Sequence, residues 1–293
     1  MREPVIMICL GATKAGTSWL YEHLFAHPDC HFRTIKELHY FDTVETGRYG
    51  LRLRAYRAEL AAVEARLPGL SGEKHAHALR RIADLRDWIA VLSRKTEDAA
   101  AYAAYVSEGA NGRVVGDVTP SYATLAADTL HRIAGLGAGV RFVYLMRDPV
   151  ARLWSHVRML ARRETPEGGD FARVARARMA GVLAGEDPGL VDRGDYRGTV
   201  EKLTSVMAPA RLMAMFTEDL MTRPGLARLC DFLGIRVQDA PFARRVHEGA
   251  ALEMTAEERA GARRLLRDQY EYAAKAFPVL PDAWRKTMSE GFA

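Results

Sequence analysis

Short apolar runs, each followed by a polar loop and then by helical periodicity, recur along this chain. Val5-Ile6-Met7-Ile8-Cys9-Leu10 is continuously apolar, the pattern of a strand buried on both faces. A glycine-punctuated loop follows, and Trp19, Leu20, Leu24 and Phe25 then fall at helical spacing. A second unit covers His31 to Asp42, where Lys36-Glu37-Leu38-His39-Tyr40-Phe41-Asp42 sets charges and an imidazole among apolar residues. A third is Arg113-Val114-Val115-Gly116 leading into Asp117-Val118-Thr119-Pro120-Ser121-Tyr122, and a fourth is Val140 to Met146 followed by Arg147-Asp148-Pro149. Asp148 suits the cap of the next helix and Pro149 its first turn. Leu212 to Phe216, closed by Thr217-Glu218-Asp219-Leu220, predicts one more parallel strand. Strands alternating with helices predict an α/β fold, a doubly wound parallel sheet flanked by helices. In such sheets ligands collect outside the carboxyl ends of the strands. The polar segments fall at those ends, so residues distant in sequence are expected to meet in one crevice.

Residues 51–110 break this rhythm. They are rich in Ala, Arg, Glu and Leu, with helical periodicity over Leu51–Leu67, Ala76–Leu92 and Asp98–Val106, interrupted at Pro68-Gly69 and Ser71-Gly72. They predict a helical insertion on one side of the crevice, either a purely structural hairpin or a wall for the acceptor. Residues 162–170 predict a loop. The 293 residues, 48% apolar, are read as one domain over 1–293. The net charge of +5 suits a polyanionic small ligand, and the lack of a long basic run argues against nucleic acid as partner. Cys9, Cys30 and Cys230 lie far apart, which fits neither a disulfide framework nor a zinc site. No apolar run is long enough to span a membrane, and no secretory signal precedes the first strand, so a cytoplasmic chain is expected.

Gly11-Ala-Thr-Lys-Ala-Gly-Thr-Ser18 carries the chemistry most openly. A nucleotide-hydrolysing P-loop reads G-x-x-x-x-G-K-[ST]. Here Gly11 and Gly16 keep the spacing and Ser18 keeps the hydroxyl, but Thr17 takes the lysine's slot and the cation has moved back to Lys14. The predicted fold is therefore P-loop-like, with the anion cradle retained and the γ-phosphate grip altered. Gly16 lets backbone approach an anion, while Thr17 and Ser18 can donate to it. Arg147 offers a fixed fork of donors for a second phosphate, or else a structural ion pair. Ser155 lies two turns into the following helix, on a face with Arg152.

Taken together these segments resemble the sulfotransferase family. Lys14-Ala15-Gly16-Thr17-Ser18-Trp19-Leu20 resembles its 5′-phosphosulfate loop, and Arg147-Asp-Pro-Val-Ala-Arg-Leu-Trp-Ser155 its 3′-phosphate motif. Lys36-Glu-Leu-His-Tyr-Phe-Asp42 and Asp117-Val-Thr-Pro-Ser-Tyr122 look like segments of the heparan-sulfate-type (carbohydrate) branch. Gly194-Asp-Tyr196, Phe216-Thr-Glu-Asp-Leu220 and Phe232-Leu-Gly-Ile235 are similar to later family landmarks. The likeness runs from about residue 4 to 236, interrupted by the insertion.

It implies sulfuryl transfer from 3′-phosphoadenosine 5′-phosphosulfate (PAPS) to a hydroxyl or amine, with no metal. Lys14, Ala15, Gly16, Thr17, Ser18 and Trp19 would hold the phosphosulfate end, and Arg147, Ser155 and Tyr196 the remainder of the nucleotide. Glu37 is the candidate general base, its pKa expected to rise among Leu38, Tyr40 and Phe41. The bland alternative for Glu37 is a salt bridge to Lys36. His39 would share a face with Glu37 if the segment is extended, orienting the acceptor or replacing Glu37 as base. Lys36 would aid the developing charge or stay solvated.

Two departures stand out: Val118 occupies the position where that branch carries a lysine, and Arg244-Arg245-Val246-His247-Glu248-Gly249 lacks the usual lysine-glycine-arginine order of the basic closing loop. The acceptor, whether small molecule, carbohydrate or lipid, is not spelled out, though Tyr40, Tyr122 and Trp88 are candidates for an aromatic mouth. The oligomeric state is equally silent. Two other functions compete. One is an ATP-dependent phosphotransferase using Asp117 as a metal carboxylate, and the other a non-catalytic nucleotide-binding adaptor.

Overall fold

Val5–Gly11 forms strand β1, which a glycine loop joins to helix α1 (Thr17–Phe25). The computed structural model describes residues 4–110, 112–242 and 252–292. A short strand β2 (Cys30–His31) leads through a loop to α2 (Tyr40–Thr46). Helices α3 (Tyr49–Arg66), α4 (Gly72–Ser93) and α5 (Ala99–Ser107) fill the predicted insertion, with a 3-10 turn at Leu67–Gly69 where Pro68-Gly69 breaks it. Then come β3 (Val114–Val118), α6 (Ala127–Ala134), β4 (Val140–Met146) and α7 (Pro149–Glu164). Helices α8 (Phe171–Leu183), α9 (Pro188–Asp192) and α10 (Tyr196–Val206) precede β5 (Leu212–Phe216). Five helices follow β5 among the described residues: α11 (Thr217–Leu220), α12 (Arg223–Leu233), α13 (Ala256–Leu265), α14 (Arg267–Ala276) and α15 (Asp282–Ser289).

All strand pairs are parallel, in the order β2-β3-β1-β4-β5. The chain winds to one side of β1 for β2 and β3, then to the other for β4 and β5, and the reversal opens a crevice at the carboxyl ends. β3 and β4 are buried almost throughout, which is why both are mainly apolar, interrupted only by Gly116 and Asp117 in β3 and by Arg141 in β4. Val140 to Met146 and Leu212 to Phe216 form strands as predicted. Asp148 caps α7 by accepting from Ala151 N at 2.8 Å, with Pro149 in its first turn.

Two expectations are corrected. The unit at His31–Asp42 contains only a two-residue strand, because its later backbone amides bond to side chains rather than to a neighbouring strand. The loop expected over 162–170 begins only at Thr165. Leu153, Val157 and Ala161 continue a buried stripe that carries α7 to Glu164, and Arg162 and Arg163 in its last turn suit the helix dipole. Arg244 to Gly249 lie outside the described residues. Among the described residues, no helix is long and apolar enough to cross a membrane.

Candidate active site

The loop after β1 turns on Lys14 (φ 71°) and Gly16 (φ 83°), both left-handed. At Gly16 nothing but glycine fits: an added Cβ would lie 2.7 Å from Thr217 Cγ2, on a backbone already strained for other residues. Thr217, which opens α11 beyond β5, also donates from Oγ1 to the Ala15 carbonyl at 2.6 Å. The end of the last strand thus clamps the loop. Gly16 precedes α1 and no side chain caps that helix, so its leading amides are free to meet an anion. Burial pulls the Lys14 pKa below its ordinary value, and the charges of Arg147, Lys36, Arg163 and Arg158 pull the same way. Trp19 is buried, stacked between His23 (5.5 Å) and Phe242 (6.0 Å), beside a cavity of about 230 Å³ that His27 and Gln238 also line.

Arg147 leaves the end of β4 and donates from Nη1 to the Lys14 carbonyl at 3.3 Å, so two cations from separate strands share one rim. Its backbone is gripped by Tyr196, whose hydroxyl accepts from Arg147 N (3.2 Å) and donates to Arg147 O (2.6 Å). Tyr196 is fully buried. Expected at the nucleotide, Tyr196 stands behind Arg147 with its hydroxyl engaged by the Arg147 backbone. Asp148 N donates to Glu218 Oε1 at 3.1 Å, and the Tyr270 hydroxyl donates to Asp148 Oδ2 at 2.7 Å. Ser155 is partly exposed on α7.

Further cations lie behind and beside this rim. Arg152 is fully buried and donates from Nη2 to Leu190 O at 2.8 Å, while its Nη1 has no hydrogen-bond partner. Arg193 reaches Thr13 Oγ1 at 3.4 Å. Burial, followed by the charges of Arg152, Arg193, Lys14 and Arg163, drives the His156 pKa down to about 3. Such a concentration of positive charge is a standing field for a polyanion.

Across the crevice, Lys36 Nζ donates to Glu37 Oε1 at 2.6 Å, and His39 Nε2 lies 3.4 Å from Glu37 Oε2. His39 Nδ1 meets Asp42 Oδ2 at 2.7 Å, and Asp42 also accepts from Ser121 Oγ at 2.8 Å. This gives a carboxylate–imidazole–carboxylate row. The raised pKa expected for Glu37 is not found: burial does push it up, but the His39 contact and the Lys36 charge outweigh burial and bring it to about 2. The Lys36 salt bridge, the bland alternative for Glu37, is present. Burial lowers the His39 pKa, yet the bonds to Asp42 and Glu37 win and raise it above 6.5. The segment is not extended at His39, which is left-handed (φ 50°), and the imidazole meets Glu37 all the same.

The insertion braces this row from behind. The Tyr56 hydroxyl lies 2.8 Å from Glu37 O and 2.9 Å from Leu38 O, and Trp88 Nε1 donates to Leu38 O at 3.2 Å. Tyr40, Tyr122 and Trp88 are at most 1% exposed, so none of them forms an aromatic mouth. Asp117 is buried with both oxygens accepting from protein donors, which removes it as a metal carboxylate. Sequence reasoning missed Asp42, Ser121, Arg193 and Thr217. Asp42, Ser121 and Thr217 each stand inside a segment already singled out, whereas Arg193 belongs to none and carried no signal.

A model described as the sulfotransferase family matches residues 4–239. No curated protein matches the chain. Among solved structures, a sulfotransferase from Alicyclobacillus acidocaldarius is 19% identical, with a TM-score of 0.62, covering 97% of this chain and 100% of that one. The sulfotransferase domain of the curacin biosynthetic pathway is 20% identical at TM-score 0.50, covering 99% and 98%. The sulfotransferase domain of the Synechococcus PCC 7002 olefin synthase is 19% identical at TM-score 0.50, covering 81% and 76%. At these identities the likeness is one of fold.

Proposed function

The chain belongs to the sulfotransferase family, and on that premise we propose that it moves a sulfuryl group from PAPS to a hydroxyl or amine by in-line transfer. The observation that supports this best is the shared rim of Lys14 and Arg147, joined at 3.3 Å over an uncapped helix N-terminus. A donor with anionic groups at two ends needs two such grips. In this reading the loop from Lys14 to Ser18 holds the phosphosulfate, Arg147 and Ser155 take the 3′-phosphate, and the base lies beside Trp19. Arg193, next to Thr13, supplies the cation that Val118 does not.

Glu37 takes the acceptor's proton as the acceptor's oxygen or nitrogen bonds to sulfur and the S–O bond to the phosphate breaks, releasing 3′,5′-ADP. Its carboxyl is too weak a base while Lys36 stays bound to it. When the ammonium turns to the sulfuryl oxygens, the charge that depresses Glu37 is withdrawn and its basicity rises. His39, fixed by Asp42, orients Glu37 from Nε2. A second reading has His39 itself as base, favoured by the 2.7 Å contact from Nδ1 to Asp42.

The acceptor is a small molecule, carbohydrate or lipid. The Lys36-Glu37-x-His39 segment and Thr119-Pro120 favour the carbohydrate branch. The test is transfer from radiosulfur-labelled PAPS to N-acetylglucosamine oligosaccharides, glucosamine, p-nitrophenol and a long-chain alcohol, with EDTA present. Labelled product and tight 3′,5′-ADP binding are expected. Magnesium-dependent ATP binding without either would overturn the reading in favour of a phosphotransferase.

A further inference from the structure

Asp117, at the end of β3, is 1% exposed and touches no surface of the crevice. Thr119 Oγ1 donates to its Oδ1 at 2.6 Å, and the hydroxyls of Tyr122 and Tyr102 donate to its Oδ2 at 2.8 and 3.2 Å. A hydroxyl has one proton, so Thr119 and Tyr122, having given theirs to Asp117, present only lone pairs to their other neighbours. Those neighbours are three consecutive backbone amides. Leu38 N lies 3.0 Å and His39 N 3.5 Å from Thr119 Oγ1, and Tyr40 N lies 2.9 Å from the Tyr122 hydroxyl. The turn they define includes the left-handed His39, a conformation strained for a residue with a Cβ.

We propose that Asp117 is a positioning residue for the transfer step: as a carboxylate it orients the Thr119 and Tyr122 hydroxyls, these hold the amides of Leu38, His39 and Tyr40, and the resulting turn keeps the His39 imidazole against Glu37. The proposal rests on the roles given above to Glu37 and His39. The polarity of the network depends on an acceptor at its centre. Asparagine would bring N–H donors to one of those hydroxyls, which would have to turn its proton towards the amides and lose its hold on them. The buried charge is also held at a cost. Burial pushes the Asp117 pKa up to about 6, against the bonds from Thr119, Tyr122 and Leu38 N, so ionisation at neutral pH subtracts from stability. A group kept ionised against its own folding preference needs a reason outside stability, and the turn at His39 supplies one.

The test compares Asp117→Asn, Thr119→Val and Thr119→Ser in the full chain. Two readouts are taken: transfer of radiosulfur from PAPS to the acceptor panel, and amide hydrogen exchange over residues 36–42 with 3′,5′-ADP bound. Asp117→Asn and Thr119→Val are expected to lower kcat at least tenfold and to speed exchange over 36–42 at least tenfold. Affinity for 3′,5′-ADP should stay within twofold, because the loop at Lys14 and Arg147 is untouched. Thr119→Ser, which keeps the hydroxyl, should restore both readouts. If Asp117→Asn fails to fold, the Thr119 pair decides alone. Transfer and exchange within twofold of wild type in Thr119→Val would overturn the proposal. A wild-type chain that transfers to nothing would overturn the functional reading instead, while exchange would still show whether Asp117 holds the turn.

Discussion

Glu37 meets Lys36 at 2.6 Å and His39 at 3.4 Å, and the role proposed for it differs in kind from that proposed for Lys14. Glu37→Gln keeps the shape but cannot take a proton, so kcat is expected to fall by roughly 100-fold or more with 3′,5′-ADP affinity unchanged. In the proposed role Lys14 would make a charge-assisted contact to the nucleotide, so Lys14→Ala should weaken 3′,5′-ADP binding by roughly 10- to 100-fold. Calorimetric titration beside steady-state rates separates the two. A His39→Gln variant that loses transfer while Glu37→Gln keeps it would make His39 the base.

The same row also makes stability depend on pH. The His39 pKa is raised above 6.5, so its contribution is complete below that value and is lost as pH rises through the raised one. The Glu37 pKa is lowered to about 2, so its contribution is present above 4.5 and is lost as pH falls through about 2. The two overlap between pH 4.5 and 6.5, tempered by solvent at the Glu37 carboxylate, whose side chain is 40% exposed. In urea titrations, the stability lost in His39→Gln should be largest in that window and shrink into the alkaline range. A loss that is flat with pH would count against the ion-paired row.

At the scale of elements, the insertion α3–α5 reaches the site through the backbone of Glu37 and Leu38, through Arg52 at the Asp42 carboxylate (3.3 Å) and through Tyr102 at Asp117 (3.2 Å). Tyr56→Phe removes the hydroxyl near both carbonyls and should cost about 1–3 kcal/mol in urea unfolding. It should also lower kcat while sparing nucleotide affinity. Equal loss of both kinetic terms would mean that the insertion shapes the nucleotide cradle as well. The helices of this insertion were readable because their apolar positions repeat at helical spacing, and β1, β3, β4 and β5 because short, mainly apolar runs stand out between polar loops. β2 was not, since residues beyond His31 direct their amides to Asp84, Thr119 and Tyr122, and partners 50 to 82 residues away leave no local period. Lys14, Gly16, Arg147 and Glu37 were legible because each belongs to a short motif. Arg193 and Thr217 act on a loop 180 and 202 residues distant, and only the folded sheet brings them there.

Across the whole molecule, the cations of the crevice repel one another until an anion arrives. Arg152 is the sharpest case: fully buried, with Nη1 unpartnered and its pKa pulled down by burial and by Arg193 and Arg147. A buried charge lacking a carboxylate partner adds little or nothing to folding, and an apolar side chain of similar volume packs in its place. Its field, however, acts through low-dielectric protein on any anion at the rim and escapes screening by salt. Arg152→Met is therefore expected to leave the free chain at least as stable, by up to about 1 kcal/mol, once the lost bond to Leu190 O is offset. The same change should weaken 3′,5′-ADP by roughly tenfold, and the deficit should persist in about 1 M salt. Arg163, exposed at the end of α7, provides the contrast: any deficit in Arg163→Ala should fade at the same ionic strength, because water and ions screen it. If Arg152→Met unfolds more easily and binds the nucleotide normally, the buried guanidinium serves packing alone and the crevice draws its field from the rim.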